Sequence, residues 1–455
     1  MRKGMVRGKF YDRAERVARI EGFLEGKLYD DMVLFLKEME PEDIADIMIE
    51  FSPYERIIIF GALEVVPAAV VLDDIDPQTR LMILQKFDKG KIARILDEMP
   101  ADEVADIIEE VDKEDRDHLL DLMKEKDAAE VEEILSYPED SAGRVMNPDF
   151  LWVRADDDIE SAIKHIRSNK VDEDFFYAYV VDDSMRLKGG IPLKKFLIAP
   201  AGTLVKNIMD EDSHSVPIDM DQEQAATIMK KYDVFSLPVV DVEGRLVGRI
   251  TADDIIDVIE EERAEDISKM TGTIEEEQGT ETTIMAAKNR LPWLITCMLG
   301  SIITGLVIQM FEVTISQMIV LVSFIPVITG TGGNSGVQAS TVVVRGIAMG
   351  RMDLSKLGDE IWRQFKIAVS LGIACGTVLT FLAGTWKNNA SIGIITGLSL
   401  FLVVVWSNFV GVIVPLMFKK IRIDPAIAAG PLITTLNDIV GVFIYLGVAT
   451  LVLFR

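Results

Sequence analysis

Hydrophobic and polar positions follow two different rules along this chain. Up to Gly272 apolar residues recur singly or in short clusters among charges, and no run approaches the roughly 18 residues needed to cross a bilayer. From Leu291 onward such runs follow one another, at residues 291–311, 314–343, 364–386, 391–418 and 426–454, so the pattern predicts five membrane spans. Residues 1–137 predict short amphipathic helices opened by proline and acid: EPEDIADIM (40–48), SPYERIIIF (52–60), DPQTRLMIL (76–84) and MPADEVADII (99–108). Proline suits the first helical turn, and an acid there complements the helix dipole. EDIAD and DEVAD recur 60 residues apart, the mark of a small all-α helical array.

A clearer repeat follows. RVMNPDFLWVRADDDIESAIKHI (144–166) parallels NIMDEDSHSVPIDMDQEQAATIM (207–229), and AYVVDDSMRLKGGI (178–191) parallels PVVDVEGRLVGRI (238–250). Each copy reads as strand, helix, buried strand, acidic turn and strand. The arrangement resembles a tandem pair of α/β CBS domains, a family whose members often bind adenine nucleotides such as ATP. GRITADD (248–254) fits that pattern, with Thr251 and Asp254 placed to hold a ribose and Tyr177 as a further candidate contact; GGIPLKK (189–195) has Pro192 and Lys195 where the hydroxyl and acid are expected. A nucleotide site and a purely mechanical scaffold both remain open for the pair. The chain thus divides into an N-terminal acidic helical domain (1–137), two CBS copies (138–200 and 201–257), an acidic connecting helix and linker (258–285) and a transmembrane domain (286–455).

Charge sharpens this division. From residue 272 onward lie 12 of the 47 basic and 10 of the 74 acidic residues, which leaves 35 basic and 64 acidic in the first 271, a balance of −29. A surface so acidic repels nucleic acid and anionic lipid and attracts cations. The basic start MRKGMVRGKFYDR has no apolar stretch behind it, so it does not read as a signal peptide and the first half is expected in the cytoplasm. Lys288 and Arg290, then Arg345, Arg351, Lys356, Arg363 and Lys366, then Lys419, Lys420 and Arg422 flank the spans on one side, against Lys387 and Arg455 on the other. The positive-inside rule therefore orients a plasma-membrane protein with a cytoplasmic N-terminus and an extracytoplasmic C-terminus. Cys297 and Cys375 lie in apolar segments without metal-ligand spacing and read as packing residues.

Two spans carry polar residues. SFIPVITGTGGNSGVQAST (323–341) combines Pro326 and four glycines with Asn334 and Gln338, and is expected to break the second span and present backbone carbonyls to a wet cavity. In the fifth, Ile427, Pro431, Thr434, Asp438, Gly441 and Tyr445 recur at three- and four-residue spacing and are expected on one stripe. Asp438 has no Lys or Arg inside any span to pair with, and an acid at that depth is a functional candidate.

The order of parts, with RLPWL (290–294), GTGGNSG (330–336) and DPAIAAGPLITTLND (424–438), resembles the MgtE family of Mg²⁺ channels over essentially the whole chain. The resemblance implies a homodimer with its pore on the two-fold axis, Asp438 as pore carboxylate and Asn334 beside it; the chain departs at Val337, where many members have Asn. It further implies regulatory Mg²⁺ sites among Asp102, Asp106, Asp221, Glu223, Asp233, Asp254, Asp257, Glu262, Glu265, Asp266 and Asp424. Mg²⁺ would be both substrate and regulator, closing the pore when plentiful. An ion-coupled carrier of Mg²⁺ or another divalent metal is the near alternative, and a membrane-anchored nucleotide sensor the distant one. No P-loop, HExxH or GxSxG stands where it could work, so no enzyme is expected.

Overall fold

The computed structural model describes residues 13–168, 175–200, 202–273, 283–349, 352, 357–421, 423–428 and 430–454. The basic N-terminal stretch up to Asp12 and the loop charges Arg351, Lys356, Arg422 and Arg455 lie outside the described residues. The chain forms two units, Met1–Glu260 and Glu261–Arg455.

The first unit opens with ten helices between Arg13 and Leu135. The proline-and-acid signals open four of them: α3 (Pro41–Met48), α4 (Pro53–Gly61), α6 (Pro77–Lys86) and α8 (Ala101–Glu109). Ser52 and Glu55 complete a capping box at α4, and Asp76 accepts the Thr79 N–H at 3.0 Å at α6, each satisfying amides that a helix start leaves unpaired. The 60-residue repeat buries equivalent positions: Ile44, Ala45, Ile47 and Met48 in α3, and Val104, Ala105, Ile107 and Ile108 in α8. Together with Leu72, Ile83 and Ile92 these form one apolar core. Each of the Ile, Leu, Val and Met side chains among them contributes about 1.5–3 kcal/mol of burial.

The second repeat gives two three-stranded sheets of identical topology, β1 (Trp152–Arg154), β2 (Tyr177–Val181) and β3 (Leu187–Pro192), then β4 (Val216–Pro217), β5 (Ser236–Val240) and β6 (Leu246–Thr251). In each the first pair is parallel and the second antiparallel. A register shift falls between Val180 and Val181 in one sheet and between Val239 and Val240 in the other. The two copies meet: the Tyr179 and Ser236 hydroxyls lie 2.6 Å apart, and the Leu187 N–H donates to the Gly244 carbonyl. From β6 the chain passes directly into α14 (Ala252–Thr271), which runs unbroken through residue 257.

The second unit holds five helices long and apolar enough to span: α15 (Thr283–Met310), α17 (Ile325–Ala348, preceded by a 3₁₀ turn from Ile319), α18 (Leu357–Trp386), α19 (Ala390–Lys420) and α20 (Pro431–Leu453). The expected break at 323–341 is not there. GTGGNSG is α-helical, and the irregular backbone precedes it, in the short helix α16 (Glu312–Gln317) and the 3₁₀ turn Ile319–Phe324. The glycines serve packing instead. A Cβ on Gly332 would strike Val403 of α19, one on Gly336 would strike Asn437 of α20, and one on Gly411 of α19 would strike the Gly336 carbonyl. Only backbone without side chains permits three helices to approach so closely.

Candidate ion path and regulatory acids

Asp438 lies in the first half of α20, partly exposed, one helical turn from exposed Thr434. The predicted stripe divides here: Gly441 and Tyr445 turn inward, and the buried Tyr445 hydroxyl donates to the Leu321 carbonyl at 2.9 Å. On α17, Asn334 and Gln338 are exposed one turn apart, while Ser335 between them is buried and receives the Asn408 amide N–H at 2.5 Å. The helices thus turn Asp438, Thr434, Asn334 and Gln338 toward the surface of the chain, and Gly332, Gly336 and Gly441 to its interior. Polar groups on the outside of a membrane unit require a wet path or a partner.

Where α14 ends, Lys269 pairs with Glu265 and, at 2.7 Å, with Asp424, whose other role is to accept the Ala426 N–H at 2.8 Å ahead of α20. Burial, then repulsion from Asp424, pushes the neighbouring Asp266 up to about 6. The two carboxylates hold the Lys269 ammonium well above the usual lysine range. Glu265, Asp266 and Asp424 are therefore brought together by the fold, with Lys269 as internal counter-ion; Glu262 lies one turn earlier on α14.

The acids of the first unit separate into three places. Asp254 accepts the Thr251 N–H and hydroxyl, both at 2.6 Å, and burial raises it to about 6 against those bonds. Its carboxylate caps the start of α14, while Tyr177 lies at the start of β2. Asp257 faces acids that the sequence reading did not single out. Asp73, at the end of α5 (Val65–Asp74), is pushed up to about 6 by burial, with Asp74 and Asp257 adding to the rise. Glu42, Asp46 and Asp257 act in the same direction on Asp74. The signal that could have found them is the run of two acids closing a helix, where the dipole disfavours them. Asp102 is buried in α8 and Asp106 pairs with Arg144 at 3.3 Å. Arg144 also holds Glu109 at 2.5 Å and floors a cavity of about 540 Å³ that Asp219 and Asp221 line. Asp221 caps α13 (Gln222–Tyr232), Glu223 stands in its first turn, and Asp233 ends it with a left-handed backbone at φ 51°. Among the described residues, no three His, Cys, Asp or Glu side chains are gathered tightly enough to ligate a metal directly. The all-oxygen acid sets suit a hard cation that keeps its water shell.

A multi-pass membrane protein with a paired CBS module and an acidic helical domain ahead of five spans is the class that fold and acids define. The chain belongs to the MgtE family of magnesium transporters. The family model described as MgtE, divalent cation transporter, matches residues 325–448; that of the MgtE intracellular N domain matches 39–140; and the CBS domain matches 142–202 and 205–261. The magnesium transporter MgtE of Thermus thermophilus is 37% identical over 334 residues, covering 71% of this chain and 72% of that one. MgtE of Bacillus subtilis is 34% identical over 321 residues, covering 70% and 71%. A crystal structure of the cytosolic domain of the Mg²⁺ channel MgtE in complex with ATP is 34% identical, with a TM-score of 0.51 over 53% of this chain and 99% of that one.

Proposed function

We propose that this chain carries Mg²⁺ across the plasma membrane as a homodimeric channel that Mg²⁺ closes from the cytoplasmic side. The observation that carries the reading is Asp438, a carboxylate on the outward polar face of a spanning helix, with Thr434 on the same face and Asn334 and Gln338 on the outward face of α17. Two such faces opposed across a two-fold axis make an oxygen-lined path. Mg²⁺ sheds water reluctantly, so the Asp438 carboxylates would hold the hydrated ion through its waters. Entry of a divalent ion down the membrane potential yields roughly 2 × 2.3 kcal/mol per 100 mV, so no further energy source is required. The relatives named magnesium transporters support the choice of ion, and the solved domain titled as part of a Mg²⁺ channel supports conduction.

Closure falls to the acids. Glu265, Asp266 and Asp424 meet where α14 reaches the start of α20, so divalent charge shared among them favours the conformation in which they are together. Asp73, Asp74 and Asp257 form a second such set, and Asp106, Asp221 and the cavity above Arg144 a third. Lys288, Arg345, Lys366, Lys419 and Lys420, at span ends on one side, support a cytoplasmic first half. The CBS pair would take ATP through Tyr177, Thr251 and Asp254, a reading favoured by the ATP complex of the solved relative. Recording from the protein in planar bilayers tests the whole. A current that grows with Mg²⁺ on the outer face, reverses with its gradient and falls as Mg²⁺ rises on the inner face is expected. Saturating, voltage-insensitive flux instead would establish an ion-coupled carrier.

A further inference from the structure

The last turns of α14 belong to the same unit as the spans and are docked on it by contacts of two kinds. The first are uncharged. Met270 packs against buried Val344 of α17 and buried Ala426 of the 3₁₀ turn Pro425–Ala428. A Cβ on Gly430 would strike the Met270 carbonyl, and one on Gly272 would crowd Trp293 and Pro431. Gly272 ends the helix with a left-handed backbone at φ 74°, and the Thr273 N–H donates back to the Ser268 carbonyl at 2.9 Å, so α14 stops at the contact. The second kind is ionic. Lys269 pairs with Glu265, one turn back on its own helix, and with Asp424 at 2.7 Å across the junction.

That ammonium lies among charges that would otherwise repel one another. Asp424 stands close enough to Asp266 to add to the rise that burial imposes on it. Asp424 cannot simply swing away, because its other oxygen accepts the Ala426 N–H at 2.8 Å. Lys269 and Asp424 each leave 30% of the side chain exposed, so water and salt screen the pair only in part. A positive charge in the last turn also complements the dipole of α14. One side chain of the protein thus supplies, where α14 meets the segment ahead of α20, the kind of charge that a divalent ion is proposed to supply.

We infer that Lys269 is a built-in latch, whose ammonium holds α14 against the start of α20 with no metal bound and so keeps part of the metal-free population closed. The inference rests on the reading that α14 docked at this junction is the closed state. It goes further in assigning closed protein to metal-free conditions and one side chain as the cause, with inner Mg²⁺ completing the shift.

The test uses the full-length protein in inside-out vesicles loaded with Mg²⁺. Cys297→Ser and Cys375→Ala leave Met270→Cys as the one thiol, and a membrane-impermeant thiol reagent reports whether α14 is docked while release of Mg²⁺ reports the pore. In chelator, adding Lys269→Met should raise both rates about threefold or more, the effect of losing a partly screened ion pair. Loss of a neighbouring ammonium by itself makes a thiol less reactive, so faster modification reports undocking and not altered chemistry. Lys269→Arg, which keeps the cation, should rescue both readouts. Saturating inner Mg²⁺ should return Lys269→Met to slow modification and slow release, because the ion restores the missing positive charge. If Lys269→Met matches the parent in chelator while the parent responds to Mg²⁺, the latch is overturned and closure by Mg²⁺ stands. A Lys269→Met protein that Mg²⁺ cannot close would also overturn it, since Lys269 would then belong to the metal-bound state. If Mg²⁺ changes neither readout in the parent, the junction is not the gate and both readings fall.

Discussion

A carboxylate in a spanning helix persists only where water or another charge reaches it, and Asp438 has no basic residue near it in α20. Replacing it with asparagine keeps shape and hydrogen-bonding capacity and removes only the charge. Mg²⁺ uptake into vesicles by Asp438→Asn is therefore expected to fall by more than about tenfold, at equal amounts of folded protein, if charge is what holds the ion. Uptake at the parental rate would show that the conduction path lies elsewhere. Outside the membrane the informative residues are Asp73, Asp254 and Asp266, each raised from the ordinary aspartate value of 3.8 to about 6, with burial the largest cause. A raised acid binds its proton more tightly in the folded state, so its favourable contribution is complete below 3.8 and is lost as pH rises through about 6. Acids held below the ordinary range, such as Asp158 and Asp182, lose their contribution only in more acidic solution and do not mask this window. In chelator the melting temperature of the full chain should fall as pH rises from about 4 to about 7. Mg²⁺ should restore it only at the upper end, where the ion takes the place of the protons.

At the scale of elements, the glycines of the membrane unit separate into those that let backbones touch and those that do not. A Cβ on Gly411 meets the Gly336 carbonyl, which cannot move aside without shifting α17, whereas Gly330 has nothing within 4 Å. Gly411→Ala should thus cost about 1–3 kcal/mol by overpacking. Gly330→Ala should change stability by less, or raise it slightly, because alanine is the better helix former. Thermal unfolding in detergent distinguishes them, and equal effects would contradict the packing described. This division was not legible in the sequence. A glycine-rich stretch with Pro326, Asn334 and Gln338 reads as a broken span, because a linear pattern cannot show which glycines another helix will cover. The structure makes α17 continuous, and places the irregular turn a few residues earlier, in the apolar segment just ahead of Pro326, which opens α17 rather than breaking it. The helical starts of the first unit were legible for the opposite reason: Ser52, Asp76 and the prolines act on their own turn, and local chemistry suffices. The CBS repeat was legible because two copies were available to compare. Among the acids, the sequence singled out Asp257 but not Asp73, Asp74, Glu42 or Asp46, which come together with it around Asp74 only through folding.

For the molecule as a whole, the question is whether its acidity acts as a diffuse field or through particular sites. The balance of −29 in the first 271 residues would attract divalent ions without any specific geometry. The structure nevertheless concentrates acids where α14 and the start of α20 meet, and there burial and the proximity of Asp424 push Asp266 up to about 6. Asp257→Asn, Glu262→Gln, Glu265→Gln and Asp266→Asn together remove four charges along α14 while leaving Asp254, which caps that helix through Thr251, in place. The matching control removes four exposed acids of the helical domain, Asp117, Asp121, Glu125 and Glu132. Diffuse attraction is screened beyond about 8 Å at physiological ionic strength, so it should respond to both variants alike and vanish in added salt. Site binding should respond to the first alone. The α14 variant is therefore expected to need at least about tenfold more inner Mg²⁺ to close, and to lose Mg²⁺-dependent protection from protease, while the control closes as the parent does. Equal shifts in the two variants, abolished together by salt, would mean that bulk charge suffices and that the α14 acids form no site.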